Sequence, residues 1–137
     1  MRVLTRKMAT LTGTLAMVGS GLVAVASPAS AATSCYADSC NGVNPASSVC
    51  QNDAVTVDTG FTEVELRYSR TCRAAWARKV QGPTGSTIKI TNTAGRSYSV
   101  HVSPGATGYT LMVDDANLQS RACEYLDGGG YSCTALY

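Results

Sequence analysis

The chain has 137 residues, a formal net charge of +2 and only 15% charged residues against 45% hydrophobic ones. That length suits one domain rather than two, and so small a charge gives no bulk electrostatic case for binding nucleic acid or an anionic membrane. The basic excess is also unevenly placed, as the first segment shows.

Arg2, Arg6 and Lys7 precede an uncharged apolar and small-residue run from Met8 to Val25, and Ala29-Ser30-Ala31 follows as a small-residue cleavage motif. This three-part layout is that of a secretory signal peptide. The run approaches the length of a membrane span, but Gly13, Thr14, Gly19, Ser20 and Gly21 dilute it, and it ends in a cleavage motif rather than in charges. The reading is therefore a signal over residues 1–31, cleaved after Ala31 or Ala32, and a single secreted domain over 32–137 with no membrane attachment. Without residues 1–31, eight Lys/Arg face nine Asp/Glu, a formal charge of −1. A domain of about 105 residues buries about two-thirds of its unfolded surface, so its stability benefits from covalent support.

Cys35 to Asp53 is rich in Ser, Asn and Cys and contains Asp38, Gly42, Pro45 and Asp53, which reads as a disulfide-pinned loop region. Short β-type runs then alternate with turn signals: 54–58, 62–69, 72–80, 86–91, 97–102, 109–114, 121–126 and 132–136. The breaks are Thr59-Gly60, Gly82-Pro83-Thr84-Gly85, Thr93-Ala94-Gly95, Ser103-Pro104-Gly105 and Gly128-Gly129-Gly130. The expected fold is all-β, a small disulfide-stabilised sandwich or barrel of about seven or eight short antiparallel strands.

"LRYSRTCRAAWARK" (66–79) holds the one tryptophan and five of the eleven basic residues. Its alanines favour a helix by propensity, but its alternation favours a hairpin with a turn near Arg70-Thr71. Cys72, Ala74 and Trp76 would share one face and Arg73, Ala75 and Ala77 the other. On that reading Trp76 is a core anchor packed near Tyr68 and the Cys72 disulfide. Arg67 and Arg73 project from the outer face, and Arg78 falls in phase with Trp76. Arg67, Arg73 and Arg78 are candidate contacts for a protein partner; solvated arginines balancing Glu63 and Glu65 are the plainer alternative.

Six cysteines in an exported chain read as three disulfides. They allow 15 connectivities. Local geometry prefers Cys35–Cys40 across "YADS", Cys123–Cys133 across the triple glycine, and Cys50–Cys72 between loop and sheet. Zinc is disfavoured because paired C-x-x-C knuckles are absent, so neither metal nor cofactor is expected.

Catalytic patterns are thin. His101 is the sole histidine and falls on the outward side of its strand. A ribonuclease-like set of Glu65, Arg67 and His101 would need neighbouring strands to assemble it. No G-x-S-x-G occurs. Asp114, Asp115 and Asp127 lack the ligand spacing of an EF-hand. The expectation is a protein that is not an enzyme.

"CYADSCNGVNPASSVCQNDAVT" (35–56) and "VELRYSRTCRAAWARK" (64–79) together resemble the YjfA-like family of small exported proteins of Gram-positive bacteria. The family's C-x4-C-x-G-x-x-P-x4-C-x-x-D-A loop is matched at Cys35, Cys40, Gly42, Pro45, Cys50, Asp53 and Ala54. Its L-R-Y-S-x-x-C-x-A-x-W-A motif is matched from Leu66 to Ala77. Arg70 stands where a proline is frequent. Some actinobacterial members resemble the adaptor subunit of umbrella toxin particles. The resemblance implies a non-catalytic secreted connector between a large repeat-bearing toxin protein and a lectin-like subunit. Other readings are a protease inhibitor presenting "YADSCNGVNP", and a carbohydrate binder using Tyr98, Tyr109 and Tyr131.

Overall fold

A computed structural model describes residues 30–137; the signal segment read over residues 1–31 lies, but for its last two residues, outside them. Nine strands form two antiparallel sheets. They are β1 (Val55–Thr59), β2 (Val64–Ser69), β3 (Ala74–Lys79), β4 (Ser86–Asn92), β5 (Ser97–Val102), β6 (Gly108–Tyr109), β7 (Val113–Asp114), β8 (Ser120–Leu126) and β9 (Tyr131–Cys133). Sheet one runs β1-β2-β3-β6, with β7 also on β3; sheet two runs β5-β4-β8-β9. The fold is the expected all-β sandwich.

The hairpin reading of 66–79 holds. β2 and β3 pair in continuous register from Val64↔Lys79 to Ser69↔Ala74. The connecting turn is held by Asp53, whose carboxylate accepts from Ser69 Oγ at 2.5 Å and from Thr71 N at 2.8 Å. Burial works against this carboxylate, yet the Ser69 and Thr71 hydrogen bonds prevail and lower its pKa.

The inner faces of both sheets make the main core. Val64 and Leu66 of β2 and Ala75 and Ala77 of β3 meet Ile88 and Ile90 of β4, Val102 of β5 and Ala122 of β8. A second apolar cluster lies on the other side of sheet one, where Trp76 and Ala74 pack with Met112, Cys40, Cys50 and Cys72. Three short 3-10 turns, Ala37–Cys40, Pro45–Ser47 and Val49–Asn52, form the lobe that covers it. β3 is consequently buried on both faces, and Trp76 is only 4% exposed.

This layering corrects one expectation. Tyr68 and Trp76 do not pack together, because they occupy opposite faces of the β2-β3 hairpin. Tyr68 faces Ala75 across the ladder, packs on the main core and meets Tyr137 edge-on at 5.4 Å.

The single strand expected over 109–114 is split. Thr110 interrupts it: its N–H donates to Ala77 O at 2.9 Å while its Oγ1 accepts from Ala77 N at 3.1 Å. A side-chain oxygen takes the place of a backbone carbonyl, and the following residue pair turns to the lobe, where Met112 N donates to Val43 O at 3.0 Å. The last expected strand, 132–136, is likewise shortened to Tyr131–Cys133. Thr134 Oγ1 there accepts from Ala122 N at 3.0 Å.

The disulfides are Cys35–Cys40, Cys50–Cys72 and Cys123–Cys133, the pairs that local geometry prefers. The first two belong to the lobe, and the third clips the β8-β9 hairpin. They suit an oxidising or extracellular setting. No helix among the described residues is long and apolar enough to cross a membrane.

Asp115 gives the fold a pH signature. It is 5% exposed and accepts from Ser120 Oγ at 2.6 Å, and burial pushes its pKa up to about 6. The contribution of this group is full below about pH 4. As pH rises from about 4 to 6 the unfolded chain loses the proton while the folded chain keeps it, so stability falls through that range and the loss is complete a little above 6. Unfolding in urea should show about 1–2 kcal/mol more stability at pH 5 than at pH 7.5, and Asp115→Asn should remove the difference. An equal pH dependence in both proteins would refute the assignment.

Candidate functional site

The face of sheet one that carries Trp76 is only partly covered by the lobe, and a cleft of about 300 Å³ remains beside it. Pro45, Ala46 and Gln51 of the lobe form one wall, Arg67, Trp76 and Arg78 the floor, and Thr107 and Tyr109 the far side. The floor follows from strand register. Arg67 lies opposite Trp76 and Glu65 opposite Arg78, so all four side chains share the face away from the main core.

The cleft is cationic in a specific way. Arg78 Nε donates to Glu65 Oε2 at 2.5 Å, and both side chains are partly exposed. Arg67 donates through Nη1 to Thr56 Oγ1 at 2.9 Å and through Nη2 to Ala54 O at 3.0 Å. Its Nε is buried and has no hydrogen-bond partner. Burial, and after it the neighbouring Arg78 charge, lower the Arg67 pKa below the usual guanidinium value. Two guanidinium groups therefore lie near one carboxylate that only Arg78 contacts, and one Arg67 N–H is still without an acceptor.

Arg67 and Arg78 are thus brought together, on the same face as Trp76. Arg73 is not with them. It occupies the β2-β3 turn with φ of 49° and donates from Nη2 to Asn117 Oδ1 at 3.3 Å. Gln51, Thr107 and Tyr109 come from segments distant in sequence, and no spacing in the chain marks them as neighbours of Trp76.

The other constellations are dispersed. His101 lies on the outer face of sheet two and pairs with Asp127 at 3.0 Å. Glu65 and Arg67 are on the outer face of sheet one, so the sandwich separates them from His101. The three tyrosines do not form one platform either. Tyr98 packs on the main core, Tyr109 lines the cleft, and Tyr131 stacks on Tyr125 at 6.0 Å on sheet two. Within "YADSCNGVNP", Ala37–Cys40 is a 3-10 turn with Cys40 fully buried, and Gly42 N donates to Met112 O at 2.9 Å. The segment is tied to the domain rather than projecting from it.

A larger hollow of about 390 Å³, lined by Asn41, Asn92, Arg96 and Asp114 among others, is a weaker candidate. Its polar groups answer one another: Asn92 donates to Asp114 O at 2.8 Å, Asn92 Oδ1 accepts from Arg96 N at 2.9 Å, and Asn41 Oδ1 accepts from Asp114 N at 2.9 Å.

Residues 38–123 match the model of a family described as a protein of unknown function (DUF2690). The chain belongs to this family. The matched span contains every residue lining the Trp76 cleft, from Pro45 to Tyr109. No curated protein and no solved structure matches the chain.

Proposed function

We propose that this DUF2690 protein is a non-catalytic docking subunit of a secreted assembly, and that its Trp76 cleft receives an acidic side chain of a protein partner. The observation that supports this is the Arg67–Glu65–Arg78 cluster. A partner carboxylate would pair with the partly exposed Arg67 and Arg78 guanidinium groups and supply the negative charge that Glu65 alone does not provide. Trp76 and Tyr109 offer an apolar wall beside it, and Trp, Tyr and Arg are the residue types enriched where interface energy concentrates.

The resemblance to YjfA-like adaptors adds the setting: a connector between a large repeat-bearing toxin protein and a lectin-like subunit of an antibacterial particle. A connector needs two surfaces. The cleft serves one, and sheet two, with its exposed Tyr125 and Tyr131, lies on the far side of the sandwich.

The test begins with capture of the tagged protein from its native culture supernatant, followed by affinity measurements on the purified pair. Recovery of a repeat-bearing exported protein together with a lectin-like one is expected. Arg67→Ala and Arg78→Ala should each weaken one of those contacts at least tenfold, about 1.4 kcal/mol, while Arg73→Ala leaves it unchanged. Arg67→Lys should not restore binding, since an ammonium lacks the planar fork. Full affinity in both the Arg67 and Arg78 variants would remove the cleft from the interface, and recovery of a protease would favour the inhibitor reading instead.

A further inference from the structure

The lobe that frames the cleft contains a group of atoms that the docking role does not use. The sulfurs of Cys35, Cys40, Cys50 and Cys72 all lie within 4.8 Å of one another. Cys35 Sγ and Cys50 Sγ, which belong to different disulfides, are 3.6 Å apart. The two disulfides are thus stacked sulfur against sulfur instead of being spread through the lobe.

We propose that the reduced chain binds one zinc-class ion at these four cysteines, so that the lobe has two alternative closures, a disulfide pair or a single tetrathiolate metal centre. A tetrahedral zinc site has Zn–S bonds of about 2.3 Å, which places its sulfurs about 3.8 Å from one another. The separation between Cys35 and Cys50 already has that value to within a few tenths of an ångström. The remaining non-bonded pairs have at most about 1 Å to close, while the two bonded pairs part by rotation about their side-chain torsions.

The surroundings suit a structural centre. Cys40, Cys50 and Cys72 are fully buried, and Cys35 is partly exposed, which leaves one side open for entry of the ion. Cys72 belongs to the turn after β2, fixed by Asp53 and Ser69, and Cys50 N donates to Ser48 Oγ at 3.3 Å. The ligands therefore come from backbone that is already held. Four sulfurs with no carboxylate or imidazole among them favour a soft or borderline ion such as Zn²⁺, Cd²⁺ or Co²⁺ over Mg²⁺ or Ca²⁺. Sequence spacing conceals the site, because Cys35 and Cys40 are separated by four residues and Cys50 and Cys72 are joined only by the fold.

The chemistry balances. A trialkylphosphine gives two electrons to each S–S bond and becomes a phosphine oxide with oxygen from water, leaving four thiols. Binding of M²⁺ then releases up to four protons as the sulfurs become thiolates. In the opposite direction an added disulfide oxidant such as oxidised glutathione takes up four electrons over two molecules and leaves as four thiols with four protons from water. The ion is expelled as the two protein disulfides re-form.

Cobalt(II) is the probe, titrated anaerobically into the phosphine-reduced full chain. One equivalent should bind with the intense thiolate-to-metal charge-transfer and visible d–d absorption of a tetrahedral sulfur site, and zinc should displace it. Trp76, which packs against three of these cysteines, should recover the emission it has in the oxidised protein. Cys123→Ser/Cys133→Ser should titrate like the parent, whereas Cys50→Ser/Cys72→Ser should weaken binding at least a hundredfold. Absence of the tetrahedral spectrum, or equal affinity in the Cys50/Cys72 variant, overturns the proposal. So does cobalt binding that leaves Trp76 emission at its unfolded position, because the ion would then be chelated by an unfolded chain rather than held in the lobe.

Discussion

Replacing Lys79 by methionine, with Glu124 left in place, is expected to cost the fold about 3–5 kcal/mol, read from guanidinium unfolding at neutral pH. Lys79 is 4% exposed and Glu124 fully buried, and the two form an ion pair between sheet one and sheet two. Lys79 Nζ also donates to Ser86 Oγ at 3.2 Å and to Thr84 O at 3.3 Å. Removing the ammonium leaves a buried carboxylate with only the hydroxyls of Ser86 and Thr62 to compensate it. Replacing both partners, Lys79→Met with Glu124→Leu, should recover most of the loss, because no uncompensated charge remains. A double variant no more stable than Lys79→Met would refute this account.

The pH dependence separates the two variants further. Burial opposes the Glu124 carboxylate, but the hydrogen bonds of Lys79, Ser86 and Thr62 together with the Lys79 charge outweigh it, and its pKa falls below the ordinary value. In the parent protein this group therefore supports folding above its unfolded pKa, and that support is lost as pH drops through the folded one. Without Lys79, burial, the largest of these effects, is opposed only by the hydroxyls of Ser86 and Thr62. Glu124 then takes up a proton more readily folded than unfolded, so Lys79→Met should gain stability on acidification from pH 7 to pH 5, and the double variant should lack that gain.

Lys79 also shows what alternation does and does not reveal. The period of two in β2 and β3 is legible because Leu66, Tyr68 and Trp76 are spaced for it, and the hairpin follows. Alternation assigns residues to two faces without saying whether both are covered. Trp76 and Ala74 lie under the lobe while Ala75 and Ala77 lie under sheet two, so a strand with two cations has almost no wet face. A lysine in such a run reads as solvated, and only the packing of β8 shows that Lys79 points inward at Glu124. The break at Thr110 was hidden for a different reason: threonine suits a strand, and nothing local indicates that its hydroxyl will stand in for a carbonyl. The cleft was half legible. Trp76 and Arg78 fall on one face by alternation, but pairing Trp76 with Tyr68 sends Arg67 to the opposite, outward face. The Arg67↔Trp76 register places it in the cleft, and Gln51, Thr107 and Tyr109 arrive through tertiary packing. Arg73 was grouped with Arg67 because both were read as outward, but the turn carries it away.

Loss of the Cys50–Cys72 disulfide is the second large effect expected, and it bears on docking as well as stability. The Cys50–Cys72 loop spans 22 residues, against 10 for Cys123–Cys133 and 5 for Cys35–Cys40. Loop-closure entropy alone assigns these about 3.4, 2.7 and 2.1 kcal/mol. Cys50 and Cys72 are also fully buried against Trp76, so replacing both by alanine removes packed sulfur and adds a cavity cost. Cys50→Ala/Cys72→Ala should therefore lose about 4–5 kcal/mol, whereas Cys123→Ala/Cys133→Ala should lose about 2–3. The distinguishing readout is local. Apart from the backbone that runs from Asn52 into β1, this bridge is the only covalent link between the lobe and sheet one, so its loss should loosen the cleft wall formed by Pro45, Ala46 and Gln51. Trp76 emission should shift to longer wavelength and partner affinity should fall, under conditions where β4 and β8 amides stay protected from hydrogen exchange. In Cys123→Ala/Cys133→Ala, Trp76 emission and partner affinity should match the parent. If both variants lose Trp76 burial together with β4 and β8 protection, the lobe and the sandwich unfold as one unit, and the cleft wall is not an independently anchored element.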